Sequence, residues 1–267
     1  MLELSRLSQR RQAEKWLQEL LHQHEQRRGF LIAFEGPDGS GKTTQRKLFK
    51  RWLKEEGHEV ATTKWNSSPL ISPLVKVRKK ARTLNPEEFC LLHAADFRHR
   101  IETLIVPALL QGKTVVADRY LFTALARDCA RGLELDWLLH LFSPFLWPDL
   151  VFYFSVSPAT SAQRIALHRT PKFYEAGQDV TQLDDPFESY SRFMTRVIQE
   201  YEALALIFKF VTIDAEQSIY DQHQQIRTLF QQCQRRPWAD WNLKTMVDWV
   251  GLKVHIPDVR LGDGRLA

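Results

Sequence analysis

Cysteine is scarce in this sequence and isolated where it occurs. Cys90, Cys129 and Cys233 are odd in number and form neither a CxxC nor a CxxxC pair, which argues against a disulfide framework or a zinc site and fits a reducing cytosol. Long hydrophobic runs are missing too, with no stretch of about 18 apolar residues to cross a bilayer as a helix. The N-terminal residues through Arg28 are polar and charged, unlike a secretory signal, and Glu14, Glu19 and Glu25 interrupt their basic residues, unlike a mitochondrial presequence. Internal repeats and low-complexity segments are absent. The expected setting is cytoplasmic, without a membrane partner.

What is present suits a globular protein. Over 267 residues, 44% are hydrophobic and 26% charged, enough apolar material for a sizeable core. The formal charge is +5 and the pI about 9.1, a balance suited to anionic ligands such as nucleotides. Positive residues are dispersed, with short clusters only at Arg10–Arg11, Arg78–Arg82 and Arg235–Arg236, so nucleic acid is not an expected partner.

Patterning divides the chain in three. Residues 8–28 read as an amphipathic helix with Ala13, Trp16, Leu17, Leu20 and Leu21 on one face, so 1–28 is expected to be a helical extension. Residues 29–232 alternate strands with helices. Strands are expected at Phe30–Glu35, Glu59–Lys64, Thr114–Asp118, Leu150–Val156 and Phe210–Asp214. Helices are expected at Thr43–Glu56, Asn85–Gln111, Pro158–His168, Pro186–Phe208 and Ser218–Gln232. Asn85, Pro86 and Glu88 have the spacing of a capped helix start, and Pro107 should loosen the far end of that long helix. Such alternation implies right-handed βαβ units and an α/β fold with a parallel sheet covered on both faces. Residues 233–267, with Trp238, Trp241 and Trp249, break the pattern and read as a C-terminal tail.

The chemistry begins at Gly36-Pro37-Asp38-Gly39-Ser40-Gly41-Lys42-Thr43. This fits GxxxxGK followed by Ser or Thr, between a strand and a helix, as a phosphate-binding loop requires. Glycines let the backbone approach phosphates, and N–H groups converge at a helix N-terminus whose dipole favours anions. Lys42 would neutralise β/γ charge, and the Thr43 hydroxyl would ligate Mg²⁺. ATP-binding residues are thus expected at Gly36, Asp38, Gly39, Ser40, Gly41, Lys42, Thr43 and Thr44. Asp118 ends a neighbouring strand and Arg119 follows, a pair suited to holding metal-bound water and clamping an acceptor phosphate.

Several segments resemble the thymidylate kinase family, the phosphate loop almost residue for residue. They are Phe34–Gln45 at the phosphate loop, Gly112–Tyr120 ending in Asp-Arg-Tyr, Leu91–Asp96 and Pro107–Leu109 in the long helix, Pro148–Leu150, and Ile213–Ala215. The resemblance covers about residues 29–232. It implies a three-layer P-loop NTPase fold with a five-stranded parallel sheet, and transfer of the γ-phosphate of ATP to dTMP with Mg²⁺. It also implies nucleotide substrates and a homodimer through the long helices. Carried over by position, Asp38 contacts the acceptor's sugar hydroxyl, Arg119 holds its phosphate, and Asp118 lies near the metal with Thr43. The phosphate loop holds no arginine, so the resemblance shifts the transition-state charge to the lid, Thr170–Thr181, with Arg164 and Arg169 on the helix leading into it and Lys172 inside.

Two stretches depart from the family pattern. His93 and Phe97 stand where the family has a base-stacking aromatic and a base-reading arginine. Lys64-Trp65-Asn66-Ser67-Ser68-Pro69 replaces the family's Arg-Glu-Pro-Gly-Gly. Acceptor binding is therefore expected at Asp38, His93, Phe97 and Arg119, with dTMP as first acceptor. The alternatives are another phosphorylated acceptor (another nucleotide or polyphosphate) or a nucleotide-binding regulatory protein without turnover.

Overall fold

The structure, a computed structural model, describes residues 29–143 and 145–235. The expected helix at 8–28 and the tail beyond residue 235 lie outside the described residues. Five parallel strands form one sheet in the order β2-β3-β1-β4-β5. These are β1 (Leu31–Glu35), β2 (Val60–Lys64), β3 (Thr114–Asp118), β4 (Leu150–Ser155) and β5 (Val211–Asp214). The central strand β1 and its neighbour β3 are buried at every position, which is why they read as largely apolar runs rather than alternating ones. Their register pairs Phe34 with Asp118, so both strands deliver their C-terminal residues to the same edge. Ligands of open parallel sheets gather at that edge.

Helix α1 (Lys42–Glu55) starts from the phosphate loop and packs Phe49, Trp52 and Leu53 into an aromatic core with Phe34, Phe152, Phe154 and Phe230. The Phe49 ring lies 5.5 Å from Phe34 and 5.3 Å from Phe230. This core fixes α1, and with it the loop, against the sheet.

The long helix expected over Asn85–Gln111 is a continuous helical run of three parts: α3 (Pro86–Arg100), a π-helical turn (Ile101–Ile105) and α4 (Val106–Leu110). Its start is capped as the sequence implied, Glu88 N donating to Asn85 Oδ1 at 2.7 Å and Asn85 N to Glu88 Oε2 at 3.3 Å. The interruption follows from Pro107, which lacks an N–H and would press on the carbonyl four residues back. The turn before it widens, and the Val106 N–H reaches the Ile101 carbonyl instead.

Helices α7 (Pro158–Ala166), α10 (Pro186–Ile207) and α11 (Ile219–Gln234) match expectation to within two residues at each end. Three helices were not anticipated: α2 (Ser72–Ala81), α5 (Leu121–Cys129) and α6 (Leu135–Phe142). The segment read as a lid loop is instead two short helices, α8 (Phe173–Ala176) and α9 (Gln178–Thr181), divided by Gly177. Tyr174 docks this segment: its hydroxyl accepts from Leu84 N at 2.9 Å and donates to Leu84 O at 3.2 Å.

Candidate active site

At the end of β1 the chain turns sharply into the phosphate loop. Gly36 adopts φ 139°, and a Cβ there would lie 2.8 Å from the Phe154 carbonyl oxygen, so the loop hugs β4 as only glycine allows. Gly41 adopts φ 77° at the N-cap of α1, and a Cβ on it would meet nothing within 4 Å. The space before the helix is open, and no side chain caps its first turn. Uncapped N–H groups facing such a space form an anion cradle. Gly39 also sits at positive φ, Ser40 is buried and Thr44 exposed.

Lys42 is buried, and its Nζ donates to the Pro37 carbonyl at 2.8 Å. Burial and the Arg119 charge push its ammonium down to about 7, against the pull of Asp38, Asp118 and Glu35. The Asp38 carboxylate faces two arginines, with Arg119 Nη2 at 2.5 Å from Oδ1 and Arg127 Nη1 at 3.1 Å from Oδ2. Burial alone would raise the Asp38 carboxyl, but Arg119, Arg127 and Lys42 outweigh it and hold it well below the usual carboxylate range. Asp118 pairs with Arg46 of α1 at 3.2 Å.

Arg119 adopts φ 68°, a conformation that costs a non-glycine residue energy and persists only where neighbours over-determine it. Those neighbours are visible. The Arg119 N–H donates to Phe34 O at 3.0 Å, and its Nη1 donates to Gly36 O at 3.0 Å and Thr123 Oγ1 at 3.2 Å. Behind it, the wholly buried Glu35 carboxylate accepts from Tyr120 N at 2.7 Å, Thr123 Oγ1 at 2.5 Å and Tyr201 Oη at 2.9 Å. Burial raises the Glu35 carboxyl despite these donors.

A cavity of about 920 Å³ opens from this cluster. Asp38, Lys42, Thr43, Asp118 and Arg119 line one part of it. Trp65, Phe89, His93 and Tyr174 line another. His93 lies edge-on to Phe89 at 4.3 Å and to Trp65 at 5.4 Å. Burial, and then Lys79, Arg131, Arg127 and Arg100, push its imidazole well below the ordinary histidine range, so the ring is neutral at pH 7. Phe97 is not a lining residue: it is buried 6.1 Å from Trp65, against Tyr120 and Phe142. Nor do Arg164 and Arg169 line the cavity. Arg164 donates to Gly39 O at 3.2 Å and Ala215 O at 3.1 Å, and Arg169 pairs with Glu175 at 2.5 Å.

Sequence reading missed Glu35, Arg46, Lys79, Thr123 and Arg127. A signal existed for two of them. Thr123 and Arg127 stand four residues apart, which puts them on one face of α5 just after Arg119. Lys79 gave no such signal, because α2 itself was not foreseen. Among the described residues no group of three or more His, Cys, Asp or Glu side chains is gathered to hold a metal unaided. The oxygens of Thr43 and Asp118 beside the open cradle fit a hard cation that keeps several waters and shares a ligand's phosphates, as Mg²⁺ does.

Comparison with known proteins agrees with this geometry. The sequence profile described as thymidylate kinase matches residues 34–226. A protein of Saccharolobus solfataricus named "Probable thymidylate kinase 2" is 39% identical over 76% of this chain and 95% of its own length. A "Probable thymidylate kinase" of Pyrococcus horikoshii is 35% identical, covering 76% of this chain and 96% of its own. The "Thymidylate kinase" of Halothermothrix orenii is 30% identical, covering 74% and 95%. A profile spanning most of the described sheet, relatives matched over nearly their full length, and a phosphate loop facing a strained arginine all lead to one assignment: the chain belongs to the thymidylate kinase family.

Proposed function

We propose that this chain transfers the γ-phosphoryl group of ATP to the phosphate of a nucleoside monophosphate, dTMP first among acceptors, with Mg²⁺. The observation that carries this reading is the meeting of Lys42, Asp38 and Arg119 beside an uncapped helix N-terminus at one cavity. The donor triphosphate lies in the cradle of Gly36–Thr44. Lys42 exchanges its bond to Pro37 O for a phosphate oxygen. The acceptor phosphate draws Arg119 from Asp38, which leaves Oδ1 free to accept from a sugar hydroxyl. Thr43 and Asp118 would hold Mg²⁺, which when bound offsets phosphate charge. Phosphoryl transfer of this kind asks little covalent chemistry of the protein. Its charge spreads over the equatorial oxygens, and catalysis is positioning plus electrostatic stabilisation by Lys42 and Arg119. Arg164, already bonded to Gly39 O of the loop, and Arg169, paired with Glu175 of the lid segment, would complete that charge. Nucleotides are the partners this reading requires, and the cytoplasm is the setting where they are supplied.

The test is a panel of nucleoside monophosphates incubated with ATP and Mg²⁺. Product from dTMP supports the reading. Product only from another acceptor moves the substrate, and tight ATP binding with no product from any acceptor overturns the kinase reading.

A further inference from the structure

The aromatic part of the cavity holds one cation whose chemistry the phosphate cluster does not use. Lys79 lies in the last turn of α2. Its ammonium stands 4.8 Å from the centre of the Phe89 ring and 6.0 Å from that of Tyr174. Those two rings are themselves stacked, 5.2 Å apart and 13° from parallel. Of the lysines lining the cavity, Lys47, Lys64, Lys76, Lys80 and Lys172 are exposed and meet water. Lys42 is buried but bonded to Pro37 O. Lys79 is partly buried, and among the described residues it has neither a carboxylate within ion-pair distance nor a hydrogen-bond acceptor. Burial, with Arg127 and Arg131 nearby, lowers its ammonium to about 8. Ring faces compensate a shielded ammonium only in part, and an acceptor oxygen supplied by a ligand would complete it.

That ligand oxygen has a definable chemistry. The surrounding wall is made of ring planes, Phe89, His93, Trp65 and Tyr174, which suits a flat heterocycle rather than a phosphate. The phosphate-binding groups are gathered elsewhere, around Lys42 and Arg119. Two arginines beside this wall are engaged. Arg127 holds Asp38 Oδ2 at 3.1 Å and the Glu175 carbonyl at 3.3 Å, and Arg131 holds Asp179 at 2.8 Å. Phe97, one helical turn beyond His93, has no donor and lies away from the cavity. A lysine offers donors only, so it donates to a carbonyl oxygen and opposes an amino group.

We propose that Lys79 is the specificity-determining residue of the acceptor pocket, and that it selects bases presenting a carbonyl oxygen, as thymine and uracil do at C4, over cytosine, which presents an amino group there. This rests on the acceptor being a nucleoside monophosphate bound with its phosphate at Arg119.

The experiment compares kcat/KM for dTMP, dUMP and dCMP in the wild type, Lys79→Met and Lys79→Arg. Methionine retains an unbranched stem against Phe89 and Tyr174 while removing the charge. The expected result is a loss of about ten- to a hundredfold for dTMP and dUMP in Lys79→Met, the size of a hydrogen bond to a charged group. The dCMP value is unchanged or raised, so the oxo-to-amino ratio collapses, and Lys79→Arg recovers part of it. Thermal midpoint and affinity for a non-hydrolysable ATP analogue are measured on the same variants, and both are expected to match the wild type. An equal fall for all three acceptors, or an unchanged ratio, overturns the role of Lys79 while leaving the kinase reading intact. A wild type that phosphorylates none of them, while still binding ATP, overturns the reading beneath it as well.

Discussion

If Lys42 is neutral in the empty site, nucleotide binding must take up a proton. The free ammonium is pushed down to about 7. Phosphates in the cradle add negative charge at hydrogen-bond range and raise it again. The sign follows directly: the complex holds more protons than free protein and ligand, so affinity falls as pH rises from about 7 toward the raised value of the complex. At about pH 8 only roughly a tenth of the free lysine is charged, so binding takes up about 0.9 proton, and affinity falls nearly tenfold, about 1.4 kcal/mol, for each further pH unit. The nucleotide's own phosphates are fully ionised there and do not contribute. The assay is titration calorimetry of a non-hydrolysable MgATP analogue at about pH 8, in two buffers of different ionisation enthalpy. Lys42→Arg, which stays charged throughout, is the reference and subtracts any contribution from Lys79. Equal proton uptake in wild type and Lys42→Arg would refute the argument, because Lys42 would then be charged before the phosphates arrive.

Arg119→Lys should raise the acceptor KM by about tenfold or more without restoring wild-type kcat, because an ammonium cannot replace the two-pronged contact of a guanidinium; initial rates over an acceptor series check it. Arg169→Ala should lower kcat by about 10³ if that side chain clamps the transferring phosphoryl group. Its pair with Glu175 is 45% exposed on the arginine side and adds little stability, so a kcat within threefold of wild type would remove Arg169 from the mechanism. Thr123→Val should destabilise the fold by about 1–3 kcal/mol, since it strips the Glu35 carboxylate of a buried donor. The same change should raise the acceptor KM through Arg119, and urea melts beside steady-state kinetics separate the two effects.

Local features were legible in the sequence. The phosphate loop, the Asn85–Glu88 cap and the Asp118–Arg119 pair each depend on residues close in the chain, and each stands where its spacing implied. What escaped notice depends on the sheet. Arg46 meets Asp118, and Glu35 meets Tyr201, only because β1 lies between β3 and β4. Phe97 reads as a pocket residue because it stands where the resembled family has a base-reading arginine, yet Trp65 and Phe142 hold it in the core. Helix α2 carries Pro73 and four basic residues among Lys76, Arg78, Lys79 and Lys80, a pattern with too weak an apolar stripe to declare a helix.

The π-helical turn at Ile101–Ile105 makes this helical run a junction between two phases rather than one rod. Each residue advances an α-helix by about 100°, so the wider turn resets which side chains face the sheet. Before it, α3 turns Phe89 and His93 toward the cavity. After it, α4 turns Ala108 and Leu109 inward to pack beside β3. Removing one residue from that turn would restore uniform winding and swing α4 out of register with β3. The strand that ends in Asp118 and Arg119 would lose its support, though no residue of the site had been touched. For this chain, the length of an unremarkable stretch of helix is as much a determinant of the site as the identity of the residues within it.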